Sequence, residues 1–107
     1  MASFDEREKG FERKWERDQE LAFKARARRN RLLGLWAAER LGLEGDAAEA
    51  YAREVVMADL GRRGEDCIVE KIASDLAGKG VAIDAVRVRL ELDRCAAAAR
   101  KELGIEG

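Results

Sequence analysis

Residues 64–80, GEDCIVEKIASDLAGKG, contain the signals of one complete helix. Large apolar residues recur there at every fourth position: Ile68, Ile72 and Leu76. This spacing places their side chains on one face of an α-helix. Two acids at the start of the stretch suit the positive N-terminal end of a helix, and the glycines at its end favour termination. The stretch therefore predicts a helix over about 65–77 with one buried face.

A similar boundary precedes this helix. Gly42 and Gly45 mark a boundary between two predicted helices, and Asp46 is followed three residues later by Glu49. An acid at each of these two positions resembles a capping box, in which the first side chain caps the helix and the second reaches back. The pattern predicts a helix over about 47–60.

A further helix is predicted after a short connector. Residues 81–83, Val-Ala-Ile, are typical of extended chain, and Asp84 is a suitable N-cap residue. These signals predict a helix over about 84–103. The residues expected to face inward from it are Val86, Leu90 and Ala97.

Two apolar stripes occur in the first part of the chain. The first contains Phe4, Phe11, Trp15 and Ala22. The second, rotated by roughly 70° at 100° per residue, contains Leu21, Ala25, Leu32 and Trp36. This change of register near Asp18 predicts an N-terminal segment over residues 1–18, followed by the first helix of the domain over about 19–41. Gly10 and Gly34 are weak local breakers, so one continuous helix and two separate helices both remain open.

The composition favours helix throughout the chain. The 107 residues include 21 Lys and Arg, 22 Asp and Glu, no Pro and no His. Strong helix formers dominate, and the short predicted loops make neighbouring helices antiparallel. We therefore predict an all-α fold, a four-helix bundle with a long first helix and a mobile, amphipathic N-terminal segment.

No apolar stretch suggests a membrane span or a signal peptide. Uncharged runs are far shorter than the ~20 residues that cross a bilayer, and the first residues are highly charged. We expect a cytoplasmic protein that is monomeric when free. Cys67 and Cys95 lack metal-ligand spacing and are interpreted as core residues.

Residues 1–18 are predicted to be disordered or marginally helical when free. Columns of like charge at i,i+4 spacing destabilise a helix here, and Gly10 weakens it further. Such a segment can fold on a partner with its aromatic residues as anchors. Two alternatives remain open at this stage: the aromatic rings pack into the core of the domain, or the segment is a solvated tail.

The residue types needed for catalysis are scarce. The chain has no His, and its side-chain hydroxyls belong to Ser3, Ser74 and Tyr51. Nucleophilic and general-base catalysis usually needs a hydroxyl or thiol beside a base, and that base is most often His. Gly78-Lys79-Gly80 lacks the spacing of a phosphate-binding loop. We therefore predict that the chain is not an enzyme and uses no cofactor or metal.

One run of basic residues could dock a partner. Residues 21–38 contain no acid and five bases, here named the basic cluster: Lys24, Arg26, Arg28, Arg29 and Arg31. Such a cluster could bind nucleic acid or an acidic protein. The five side chains spread around most of the helix circumference, which argues against stable nucleic-acid binding and leaves a possible docking collar.

Four stretches of the chain carry a family resemblance: residues 4–8 (FDERE), 11–15 (FERKW), 23–38 (FKARARRNRLLGLWAA) and 51–56 (YAREVV). Together they resemble the bacterial zeta subunits, a family that inhibits the F-type ATP synthase. The resemblance extends over nearly the whole chain and departs at Gly61-Arg62-Arg63, where the family more often has acids.

The resemblance implies a function. Members carry a four-helix bundle and a mobile N-terminal segment that becomes helical at a catalytic interface of the ATPase head, beside the rotor. The implied partners are this head and the rotor, at the cytoplasmic side of the inner membrane. The implied inhibitory residues are Phe4, Asp5, Arg7, Glu8, Phe11, Glu12, Lys14 and Trp15.

Overall fold

The computed structural model describes the backbone of residues 2–60 and 64–105, and the side chains of residues 13–59 and 64–105. Within this part the chain forms four helices, and no strand occurs there. They are α1 (Ala2–Arg40), α2 (Gly45–Leu60), α3 (Glu65–Gly78) and α4 (Ala85–Glu102). The predicted all-α, four-helix architecture is confirmed. Residues 61–63, where the family resemblance departs, lie outside the described residues.

The ends of α2, α3 and α4 lie within two residues of the predicted bounds. Asp84 is the N-cap of α4, and its carboxylate accepts a hydrogen bond from the backbone N–H of Arg87 at 3.0 Å. The capping box predicted for α2 is wrong. The helix begins at Gly45, so Asp46 lies inside its first turn, and the carboxylate of Glu49 binds Arg31 of α1.

α1 is a single helix of 39 residues, so the question that the local sequence left open is resolved in favour of continuity. At 1.5 Å per residue this length corresponds to roughly 58 Å. The other three helices have 14 to 18 residues, and they pack along the C-terminal half of α1. The molecule consequently measures 66 Å along its long axis and only 26 and 24 Å across.

The core lies where the four helices meet. The predicted inward residues of α3 are completely buried: Ile68, Ile72 and Leu76. From α1 the buried residues are Leu33, Ala37 and Ala38, whereas Leu32 and Trp36 are only partly buried beside them. Gly34 permits a close helix crossing, because a Cβ atom there would lie 2.7 Å from the Cα of Ala52 in α2. Small residues thus bring α2 close to one side of α1, and the larger side chains of Leu32 and Trp36 lie beside that contact.

The inward face predicted for α4 is wrong. Val86 and Leu90 are 78% and 47% exposed, and Ala97 is also exposed. The buried apolar residues are Val88, Leu92, Cys95 and Ala99. Their spacing of four, three and four residues forms an apolar stripe, and the buried Glu91 at its edge pairs with Arg87 and Arg94. The predicted stripe is interrupted at the equivalent positions by Asp93 and Lys101, whose charged groups would lose water in a core.

Candidate partner-binding surface

The N-terminal half of α1 extends beyond the bundle. Every side chain from residue 13 to residue 20 is exposed, and partial burial begins at Leu21. Helix α1 is antiparallel to α2, and contacts such as Arg26 with Asp59 place the end of α2 beside residues 26–30. Among the described side chains, those of residues 13–20 are therefore left uncovered by the other helices, whereas α3 and α4 still approach α1 near Ala22 and Ala25.

Two of the predicted inhibitory residues have described side chains, and both are exposed: Lys14 and Trp15. Trp15 is 59% exposed, so its ring does not pack into the core of the bundle. The other six predicted residues have helical backbone, and their side chains lie outside the described residues: Phe4, Asp5, Arg7, Glu8, Phe11 and Glu12. Their assignment as inhibitory residues remains a prediction.

The direction of Trp15 follows from helix geometry. Trp15 and Leu33 are 18 residues apart, which is five full turns at 3.6 residues per turn. Leu33 is completely buried against the other helices. Trp15 therefore projects from the same side of α1 that the bundle covers further along the chain. A largely exposed apolar ring on this side is typical of a partner-binding anchor.

The five side chains of the basic cluster all pair with carboxylates. The pairs are Lys24 with Glu20, Arg26 with Asp59, Arg28 with Glu102, Arg29 with Glu65 and Arg31 with Glu49. Four of these carboxylates belong to α2, α3 or α4, so the cluster connects α1 to the rest of the bundle. The predicted docking collar consequently gains no independent support from the arrangement of these side chains.

A buried polar network fixes α1 against α2 where α1 leaves the bundle. The Asp59 side chain is only 3% exposed. Its carboxylate accepts hydrogen bonds from Arg26 Nη2 at 2.6 Å and from Asn30 Nδ2 at 2.8 Å. Asn30 in turn accepts a hydrogen bond from Arg29 Nε at 3.0 Å. Because these groups are directional, the network specifies the register and direction of the extended helix.

Charge stabilises the ionised form of Asp59. Burial acts to raise the pKa of this carboxyl group, but the hydrogen bonds from Arg26 and Asn30 and the positive charges of Arg26 and Arg29 outweigh burial. The pKa is therefore held below its usual range. Periodicity and capping signals do not predict this network. In the sequence, Asp59 interrupts the apolar run of residues 55–60, whereas Asn30 lies between Arg29 and Arg31 in a basic run.

A second polar contact joins α2 to α3. The hydroxyl of Tyr51, a residue that is 8% exposed, donates a hydrogen bond to Asp75 Oδ2 at 2.7 Å. Burial, followed by the bond to Asp75 and the carboxylate charges, raises the pKa of the Tyr51 phenol. Tyr51 therefore lies in the core, and Asp75 satisfies its hydroxyl. This contact stabilises the bundle at a distance from Trp15.

The described residues contain no cluster of three or more Cys, Asp and Glu side chains arranged to hold a metal ion. In that same part of the chain, each helix is too short or too polar to cross a membrane. The surface around Trp15 consists of apolar and charged side chains on one helix. Such a surface can bind another protein by shape and charge.

Comparisons with known proteins agree with the fold and identify the family. The family model described as ATPase inhibitor subunit zeta matches residues 1–102. A protein whose structure was solved in solution by NMR is 45% identical, with a TM-score of 0.67 over 77% of this chain and 93% of that chain. Among curated proteins, no match was found. Since the family model spans nearly the entire sequence, the chain belongs to the ATPase inhibitor subunit zeta family.

Proposed function

We propose that the chain inhibits ATP hydrolysis by the F-type ATP synthase through its N-terminal segment, residues 1–18. The segment binds as a helix at a catalytic interface of the head, beside the rotor, and blocks rotation in the hydrolytic direction. The observation that carries this proposal is the exposed Trp15 on a helix that extends beyond the bundle. The family match supports an inhibitory role on this enzyme.

Continuity of α1 makes such binding less costly. Ordering about 18 fully flexible residues would cost on the order of 18–36 kcal/mol in backbone entropy. Starting a new helix is the unfavourable step in helix formation, whereas adding residues to an existing helix is easier. Residues 2–18 extend a helix whose C-terminal half is already packed. The bundle therefore provides a stable start from which the segment can remain or become helical.

The bundle also limits how far the helix can enter a partner. α1 alone has the diameter of a single helix, about 10–12 Å with side chains. The molecule measures 26 and 24 Å across its two shorter axes. A cleft that fits one helix would admit the N-terminal segment and stop at the bundle. In this proposal the bundle stays outside the catalytic interface, at the cytoplasmic side of the inner membrane.

The direction of inhibition tests the proposal. Purified protein is added to inverted membrane vesicles that contain a cognate ATP synthase, and ATP hydrolysis and ATP synthesis are measured separately. We expect hydrolysis to fall far more than synthesis, because the rotor turns in opposite directions in the two reactions. Equal suppression of both activities would exclude a block that depends on rotation direction. No effect on either activity would exclude the enzyme as the target.

A further inference from the structure

The structure contains a second exposed aromatic ring on α1. Phe23 is 59% exposed, the same fraction as Trp15. It lies seven residues before Asn30 and eleven residues before Gly34, spacings that return to nearly the same side of an α-helix. Asn30 and Gly34 both lie against the bundle. Phe23 therefore projects, like Trp15, from the side of α1 that the other helices cover further along.

The opposite side of this part of α1 has a different character. At 100° per residue, Arg17, Lys24 and Arg28 lie on the side away from the two rings. Lys24 pairs with Glu20 at 3.1 Å, and Arg28 pairs with Glu102 at 2.6 Å. This side is charged, and both Lys24 and Arg28 already pair with carboxylates. The two aromatic rings consequently face in the direction where apolar surface is still uncovered.

A cavity lies where the bundle ends. It measures about 410 Å³, and it is formed by the emerging part of α1, the start of α3 and the end of α4. Its apolar wall includes Ala22, Ala25 and Ala96, and Arg26 and Arg29 provide polar groups. Ala22 lies seven residues after Trp15, a spacing that returns to nearly the same side of the helix, so the cavity adjoins the side that carries Trp15, and Phe23 lies about 100° further round. A partner that lies along this side would also meet the end of the bundle.

We propose that Phe23 is a second aromatic anchor, and that the binding surface continues past residue 18 to the end of the bundle. The ATP synthase head is the occupant, and it covers the side of α1 that carries Trp15 and Phe23. This inference rests on the proposed function, which names the enzyme as the partner. It adds which side of α1 is covered and where the contact ends.

Two arguments indicate that the ATP synthase head, and not solvent alone, covers the side of α1 that carries Trp15 and Phe23. The rings continue the core-facing side of α1, so a covering surface there would extend an existing apolar contact. Aromatic side chains that are exposed in the free protein and become buried on binding often provide much of the binding energy. The surface is also continuous with the segment that the proposed function inserts into the enzyme, so one partner can cover both.

The test is the concentration of protein that half-inhibits ATP hydrolysis, measured for the full chain, Phe23→Ala and Met57→Ala. Met57 is the matched control, because it is 63% exposed and lies on α2. We expect Phe23→Ala to raise this concentration about tenfold, a typical effect for a binding anchor. We expect Met57→Ala to inhibit like the full chain. Both variants should keep the thermal midpoint of the parent, because both side chains are largely exposed.

Each of the other outcomes overturns a defined part of the account. If the full chain inhibits and Trp15→Ala is weaker, but Phe23→Ala equals the full chain, the second anchor is wrong and the proposed function stands. If Phe23→Ala lowers the thermal midpoint by several degrees, the ring stabilises the bundle and the inference fails. If the full chain does not inhibit hydrolysis at all, both the proposed function and this extension of it are wrong.

Discussion

Replacing Asp59 by alanine is expected to lower the free energy of unfolding of the bundle by about 3 kcal/mol. Removing one partner of a buried ion pair typically costs about 3–5 kcal/mol, because the remaining charge is left without compensation. We expect the lower end of this range because Arg26 is half exposed, so water can solvate it once Asp59 is removed. A cost remains because Asn30 is only 1% exposed and would lose its hydrogen-bond acceptor. Arg29 would also lose a nearby carboxylate, at 3.7 Å.

The measurement is thermal and urea unfolding followed by circular dichroism. A loss of this size shifts the midpoint of a domain of about 100 residues by roughly 12–24 °C. Glu49→Ala is the control, because it removes an ion pair with Arg31 whose side chains are 38% and 42% exposed. Exposed pairs contribute little, so this variant should unfold close to the parent. Equal midpoints for Asp59→Ala and the parent would show that the network does not stabilise the bundle.

The loss of stability caused by Asp59→Ala is expected to depend on pH. The pKa of Asp59 is lowered in the folded state, so its contribution is fully present above the unfolded value of about 3.9. As the pH falls through the lowered folded pKa, protonation removes that contribution. The difference in stability between the parent and Asp59→Ala should therefore be largest near neutral pH and shrink below about pH 4. A difference that stays constant into acid would contradict the charged role of Asp59.

Replacing Trp15 by alanine is expected to weaken inhibition of ATP hydrolysis by at least about tenfold, which corresponds to about 1.4 kcal/mol of binding free energy. The ring is 59% exposed in the free protein, so binding can bury a large apolar area. For the same reason, the bundle loses little when the ring is removed. The thermal midpoint should stay close to that of the parent.

Inhibition curves and thermal unfolding are measured on the same preparations of Trp15→Ala and Met57→Ala. Met57 provides a comparable exposed apolar side chain on another helix. A drop in the midpoint of Trp15→Ala with unchanged inhibition would mean that the ring is a structural element. Unchanged values for both properties would remove Trp15 from the binding surface.

Helix boundaries and one core face were accessible from the sequence because local signals determine them. The repeat of Ile68, Ile72 and Leu76 has no competing apolar stripe in α3, so its buried face follows directly from spacing. α4 has two overlapping stripes, and Val86 and Leu90 are as apolar as Val88 and Leu92. The two stripes differ only further along the helix, where Asp93 and Lys101 interrupt the predicted one, so the first half of α4 alone does not decide which stripe is buried.

The surface features depend even more on tertiary structure. Asn30 and Asp59 are 29 positions apart, and only the packing of α1 against α2 brings them within hydrogen-bonding distance. Exposure of Trp15 and Phe23 depends on where α2 and α4 stop along α1, which requires the crossing of the helices. The phase of an apolar stripe is the same whether a bundle or a separate partner covers it. The family resemblance indicated the inhibitory segment, and the structure adds that Trp15 is exposed on it.

The central claim is that residues 1–18 carry the inhibition and the bundle positions them. Its most direct test compares ATP hydrolysis by a cognate F-type ATP synthase in the presence of the full chain and of a variant that lacks residues 1–18. Unfolding of both proteins is measured in parallel, because the described side chains of the core all lie after residue 28. The account predicts a folded truncated bundle that leaves hydrolysis at its uninhibited rate, while the full chain suppresses it. A folded truncated bundle that still inhibits as strongly as the full chain would contradict the account.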